Sequence, residues 1–82
     1  MDRIRLSSLP LKKSGIITEI DGSLDISDRL ADMGFIEGAG VTAEFVSPFG
    51  DPAAFRIYNT VVAIRKKDCD KIFVKELPYE NE

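Results

Sequence analysis

The most ordered alternation of polar and apolar positions in this chain runs through 27–41, SDRLADMGFIEGAGV. Ile26, Leu30 and Met33 recur at helical spacing, which gives a short helix one apolar stripe. Ser27 stands where an N-cap belongs, its side-chain oxygen able to accept from a free backbone N–H of the first turn. Asp28 adds a negative charge at the positive end of the helix dipole. Gly34 suits the left-handed residue after a helix C-cap, and Phe35 can then fold back onto Leu30 in the contact of a Schellman ending. Glu37 and Gly38 make the next turn, and Val41 starts a strand. The stretch reads as a folding cassette whose glycines serve backbone geometry.

Elsewhere the period is two. Positions 16–20, IITEI, form a first strand, with Ile16, Thr18 and Ile20 expected on one face. In 41–46, VTAEFV, Val41, Ala43 and Phe45 are expected to point one way and Thr42 and Glu44 the other. Two prolines and a glycine make 47–52, SPFGDP, a strand-connecting tip. Alternation resumes at 55–58 with Phe55 and Ile57 inward, followed by a tight hairpin connection at Asn59 and Thr60. Thr60–Ile64, TVVAI, is nearly continuous in apolar residues and is predicted as the most buried strand. Residues 65–70 suit a single helical turn, and 72–75 a last strand. Residues 3–10 read as a lead-in anchored by Leu6 and Leu9, stopped by Pro10 and a turn at 12–15. The expectation is a mainly β domain: about five antiparallel strands in a small, strongly bent barrel. The helix plugs one end through Leu30 and Met33, and residues 1–5 and 78–82 are flexible ends of a single domain.

Composition narrows the chemistry. A chain of 82 residues that is 44% hydrophobic supports one small core. No run is long enough to cross a membrane, and the N-terminal segment lacks the apolar stretch of a secretory signal, so the expected location is cytoplasmic. The single cysteine, Cys69, rules out an internal disulfide framework. Histidine is absent, so neither a Ser–His nor a Cys–His pair can be assembled, and one Cys cannot supply a structural zinc site. No catalytic residue, cofactor or metal site is expected. A net charge of −3 argues against binding nucleic acid through phosphate neutralisation.

Gly34 and Gly38 follow a helix rather than open one, and no Lys-Ser/Thr pair trails them, so they are not a phosphate-binding loop. Cys69 lies between Asp68 and Asp70, which disfavour its thiolate, and reads as a small buried residue. Arg29, Arg56 and Arg65 are solvated or paired surface residues rather than arginine fingers, and 65–67 is a solvated face rather than a lipid contact. Without Trp, and with only Tyr58 and Tyr79, the chain lacks a groove for proline-rich ligands. Phe49, between two prolines, either anchors a partner or folds over the barrel end.

Taken in order, several of these positions resemble the small A component of the bacterial ferrous iron transport system. The likeness starts with Leu6, Leu9-Pro10 and Lys13-Ser14-Gly15. Its most specific part is the helix–glycine–turn–glycine set Arg29-Leu30, Gly34, Gly38 and Val41. Pro48 with Gly50-Asp51-Pro52, then Ala63-Ile64-Arg65 and the spacing of 72–74, complete it. Departures are Glu37 for a usual proline, Lys12 and Asn59 for common glycines, and Asp68-Cys69 for a common Glu-Ala pair. The resemblance implies an SH3-like barrel and a cytoplasmic accessory protein of ferrous iron uptake. It also implies a partner, the large membrane transporter subunit with its cytoplasmic GTP-binding domain, and no insertion into the membrane. The expected contact surface joins Arg29, Asp32 and Glu37 of the cassette to Phe49 and Asp51 of the tip. The alternative is a detached regulatory domain similar to the C-terminal domain of iron-dependent transcription repressors.

Overall fold

The computed structural model describes residues 3–22 and 27–78, Ser27 by its backbone only. The expected places of Ile26 and of the Ser27 side chain in the cassette, and the tail 79–82, lie outside the described residues. In chain order the elements are β1 (Ile4–Arg5), a 3-10 turn at Leu6–Ser8, β2 (Ser14–Ile20), α1 (Ser27–Asp32), β3 (Gly40–Val46), β4 (Ala53–Ile57), β5 (Thr60–Ile64), α2 (Lys66–Cys69) and β6 (Ile72–Glu76). Six strands form one antiparallel sheet in the order β1-β6-β2-β3-β4-β5. The extra strand, β1, lies within the stretch read as a lead-in and pairs Ile4 with Val74 and Arg5 with Phe73. Two residues are too few for alternation to reveal a strand.

One core cluster joins residues from every part of the sheet: Ile17 of β2, Val41 and Ala43 of β3, Phe55 and Ile57 of β4, Ile64 of β5, and Ile72 and Val74 of β6. A sheet can gather its inner residues into a single cluster only by bending round them. Leu6 and Leu9 close the core from the N-terminal side, and Leu30 and Phe35 from the helix, with Met33 partly buried against it.

Both β2 and β3 depart from the expected faces, and each carries a bulge. In β2 it is Ile17, rather than Ile16 and Thr18, that enters the core, and the register with β6 then shifts between Ile17 and Glu19. The Thr18 hydroxyl donates to the Phe73 carbonyl at 3.2 Å beside that shift, and Ile20 returns to pack against the core. In β3 the register with β4 shifts between Ala43 and Phe45, so Val41 and Ala43 are buried while Phe45 is 58% exposed. An extra residue in one strand inverts the alternation beyond it, which the polar–apolar pattern does not record.

The hairpin and its second strand also differ from expectation. The connection is Tyr58-Asn59, since Ile57 pairs directly with Thr60, and Tyr58 takes the left-handed conformation at φ 52°. β5 is an edge strand paired only with β4, and Val61 is 42% exposed. Its apolar run reflects β-propensity. Its place in the sheet is set by chain connectivity, so it is not the most buried strand.

Candidate functional site

The cassette builds one end of the barrel. The Phe35 amide donates to the Leu30 carbonyl at 2.9 Å and the Gly34 amide to the Ala31 carbonyl at 3.0 Å. With Gly34 at φ +102°, this is the double bond pattern of a Schellman ending. Phe35 and Leu30 are both buried, the contact that the spacing predicts. Gly34 has a second reason to lack a side chain: a Cβ there would sit 2.7 Å from the Tyr58 ring. Asp28, Arg29, Asp32 and Glu37 are all exposed at this end, and Asp28 and Glu37 border a broad groove with Ile36.

The tip builds the other end. The Gly50 amide donates to the Ser47 carbonyl at 2.8 Å and the Ser47 amide to the Pro52 carbonyl at 3.0 Å. The Asp51 amide donates to Ser47 Oγ at 3.1 Å, and Asp51 Oδ1 accepts from the Lys66 amide at 2.9 Å. Arg65, at the N-cap of α2, offers no side-chain bond, so Asp51 serves that helix terminus from the neighbouring loop. The tip is thus fastened to the last helix, with a cis bond between Asp51 and Pro52. Phe49 projects from it 96% exposed. Leu11, Phe45 and Val46 are also exposed around a cleft of about 100 Å³ that reaches Cys69.

The two ends are separated by the length of β3, whose seven residues span about 20 Å. Arg29, Asp32 and Glu37 therefore share one end, and Phe49 and Asp51 the other. Asp51 is engaged with Lys66, whereas Phe49 is almost fully exposed. Phe45, Val46 and Leu11 carry no local sign of exposure except at Leu11, an apolar residue set among Pro10, Lys12 and Lys13 in a turn.

Charges near the tip are organised. Glu44 lies between Arg56 Nε at 2.9 Å and Lys12 Nζ at 3.7 Å, and the Arg56 hydrogen bond above all holds its carboxyl below the usual range. Lys12 reaches it from a left-handed turn at φ 70°, the conformation for which glycine is better suited. Asp70 is likewise lowered, first by its bond from the Ser7 hydroxyl and then by Lys66. Burial, seconded by Asp70 and Asp68, pushes the Cys69 thiol up to about 12, so it is a neutral packing group at physiological pH. Among the described residues no three His, Cys, Asp or Glu side chains converge on a point that would hold a metal ion. No helix among them is long and apolar enough to cross a membrane.

The class this geometry defines is a small SH3-like β domain with two structured ends. The FeoA domain family model matches residues 4–76, and the chain belongs to that family, which is linked to ferrous iron transport. A Porphyromonas gingivalis protein, the Fe(2+) transport protein A/Fe(2+) transporter FeoB fusion protein, is 32% identical over 72 residues. That match takes in 88% of this chain, which spans only 8% of the fusion protein's length. A FeoA-like protein of Clostridium acetobutylicum superposes with a TM-score of 0.85 at 24% identity, over 100% of this chain and 95% of that one. The FeoA of Stenotrophomonas maltophilia, solved with zinc and described as a procaryotic SH3 domain protein, superposes at 0.74 with 27% identity. That match covers 85% of this chain and 87% of the other.

Proposed function

We propose that this domain is an accessory module of ferrous iron uptake that docks on the cytoplasmic GTP-binding part of the large transporter subunit. The observation that carries the reading is Phe49: a phenylalanine 96% exposed on a hydrogen-bonded, helix-fastened tip. A large apolar side chain held out in water by a rigid loop is what an interface anchor requires, because little ordering entropy is lost on binding. The exposed Leu11, Phe45 and Val46 widen the apolar surface around it. The fusion of a related domain to a transporter in one chain supports the choice of partner. With no histidine to ligate the ion, the domain acts by contact, favouring one conformation of its partner.

Titration of the transporter's isolated GTP-binding domain with this protein tests the reading. Phe49→Ala is expected to weaken binding by tenfold or more, about 1.4 kcal/mol, without loss of fold. Equal affinity of the variant removes Phe49 as the anchor, and no binding by the parent protein removes the partner.

A further inference from the structure

The two edges of the sheet are built differently. β1 is two residues long, contains Arg5 and is preceded by Arg3, both arginines lying over the Phe73 ring, with Arg3 also paired to Glu19. Short length and charge are the devices by which an edge resists pairing with another chain. β5, the other edge, has neither: its residues are Thr60, Val61, Val62, Ala63 and Ile64, with no charge, proline or bulge.

The β4–β5 register shows which backbone groups of this edge are free. A two-residue connection makes Ile57–Thr60 a hydrogen-bonded pair, and in an antiparallel ladder every second pair repeats it. Thr60, Val62 and Ile64 therefore turn their N–H and C=O groups to β4. Val61 and Ala63 turn theirs outward, where among the described residues no strand covers them. Beyond Ile64 come Arg65 and Lys67, exposed and without an ion-pair partner among the described residues. This charged end of β5 lies at the tip, because Ile64 pairs with Ala53 and Asp51 holds the Lys66 amide.

We propose that β5 is a docking edge that accepts an extended strand from the cytoplasmic part of the transporter subunit. Two hydrogen-bonding residues of β5, Val61 and Ala63, hold the incoming backbone. Val62, half-buried at the rim of the core, is covered by an apolar residue of that strand, and a carboxylate at the strand's end meets Arg65 and Lys67. The charge of that end, and the continuity of the edge with Phe49, favour a foreign acidic strand over a second copy of β5. Two copies would bring five uncharged residues of each together with no pairing for those cations, over less area than a stable dimer needs. A short edge suffices for a partner also held at the tip, since the second contact is then intramolecular. The inference rests on the partner named above.

The experiment uses the full chain and the transporter's GTP-binding domain as the probe. Ala63→Pro removes an outward N–H that β4 does not use, and Val61→Glu places on the edge a charge of the same sign as the acidic strand. Both are expected to weaken binding about tenfold, Ala63→Pro by the loss of a backbone hydrogen bond and Val61→Glu by repulsion of the acidic strand. In the complex of the parent protein, amide exchange at Val61 and Ala63 is expected to slow. If Ala63→Pro fails to fold, Val61→Glu and the exchange measurement decide the matter. Unchanged affinity in the folded variants, with unprotected Val61 and Ala63 amides, overturns the docking edge while leaving the partner in place. A two-copy mass that the variants reduce to one identifies a second copy of this chain as the occupant and also overturns it. No binding by the parent protein removes the partner, and the edge proposal with it.

Discussion

Two phenylalanines of this chain stand beside left-handed glycines, and the fold uses them in opposite ways. Phe35 follows Gly34 at the cassette end and is fully buried, its amide closing the helix on the Leu30 carbonyl. Phe49 precedes Gly50 at the tip and is almost fully exposed. The glycines differ in the same sense, for a Cβ at Gly34 would strike the Tyr58 ring while a Cβ at Gly50 would meet nothing within 4 Å. The same pair of residue types thus assembles the core at one end and presents a side chain to solvent at the other. On the proposed reading, stability and contact are carried by different ends of β3, and substitutions can separate them.

The largest expected separation is between the phenylalanines themselves. Phe35→Ala empties a fully buried site and is expected to cost about 3–5 kcal/mol. Much of the stability of a domain this size is of that order, so the variant should be partly unfolded at room temperature. Phe49→Ala should stay within about 0.5 kcal/mol of the parent in urea denaturation. A large loss of stability on truncating Phe49 would mean that the tip packs on the barrel and is no free anchor.

What the sequence disclosed follows the range of the interactions involved. The cassette was legible because its signals are local: a helical stripe, a glycine four residues after Leu30, and the apolar Phe35 behind it. Leu6, Leu9, Phe55 and Ile57 were placed inside by the same short-range reasoning, and each is buried. The bulges at Ile17–Glu19 and Ala43–Phe45 were hidden because a shift of register depends on the neighbouring strand. So was the edge position of β5, a property of the whole sheet order. At the tip the turn itself could be read from Pro48, Gly50 and Pro52. The attachment of Asp51 to Lys66, fifteen residues on, and the full exposure of Phe49 are tertiary facts with no local signature.

The glycines offer a smaller and more discriminating contrast. Gly34→Ala forces a side chain into a positive-φ backbone, at about 1–3 kcal/mol, and also displaces the Tyr58 ring. Gly50→Ala carries the backbone strain alone. Repeating the Gly34 substitution in a Tyr58→Ala background separates the two causes in a double-mutant cycle. Because Tyr58 is mostly exposed and its ring can swing aside, the coupling is expected to be the lesser part and the φ strain the greater. If Tyr58→Ala restores most of the loss, close packing rather than backbone geometry is what demands glycine at position 34.

Acid should distinguish the ends most gently. Glu44 and Asp70, which among the described residues are the carboxylates held below their usual range, both belong to the tip half: Glu44 beside Arg56 and Lys12, Asp70 beside Ser7 and Lys66. A carboxyl whose pKa is lower folded than unfolded contributes stability that is complete above the unfolded value. That contribution fades as pH falls through the folded one. The ordinary values are 4.5 for Glu44 and 3.8 for Asp70, so the loss begins near those pH values and deepens below them. Both groups are solvent-accessible and their partners are screened by salt, so the change should be small and smaller still at high ionic strength. Amide exchange is the suitable measurement, because it reads each end separately. Between pH 5 and about 3, protection at α2 and the β3–β4 ladder near Glu44 is expected to fall before protection at Phe35, whose bond to Leu30 involves no titrating group. Glu44→Gln should flatten the response in the β3–β4 ladder and leave that of α2 in place. If protection falls at both ends together, the domain opens as one unit, and the division between a folding end and a contact end does not extend to its dynamics.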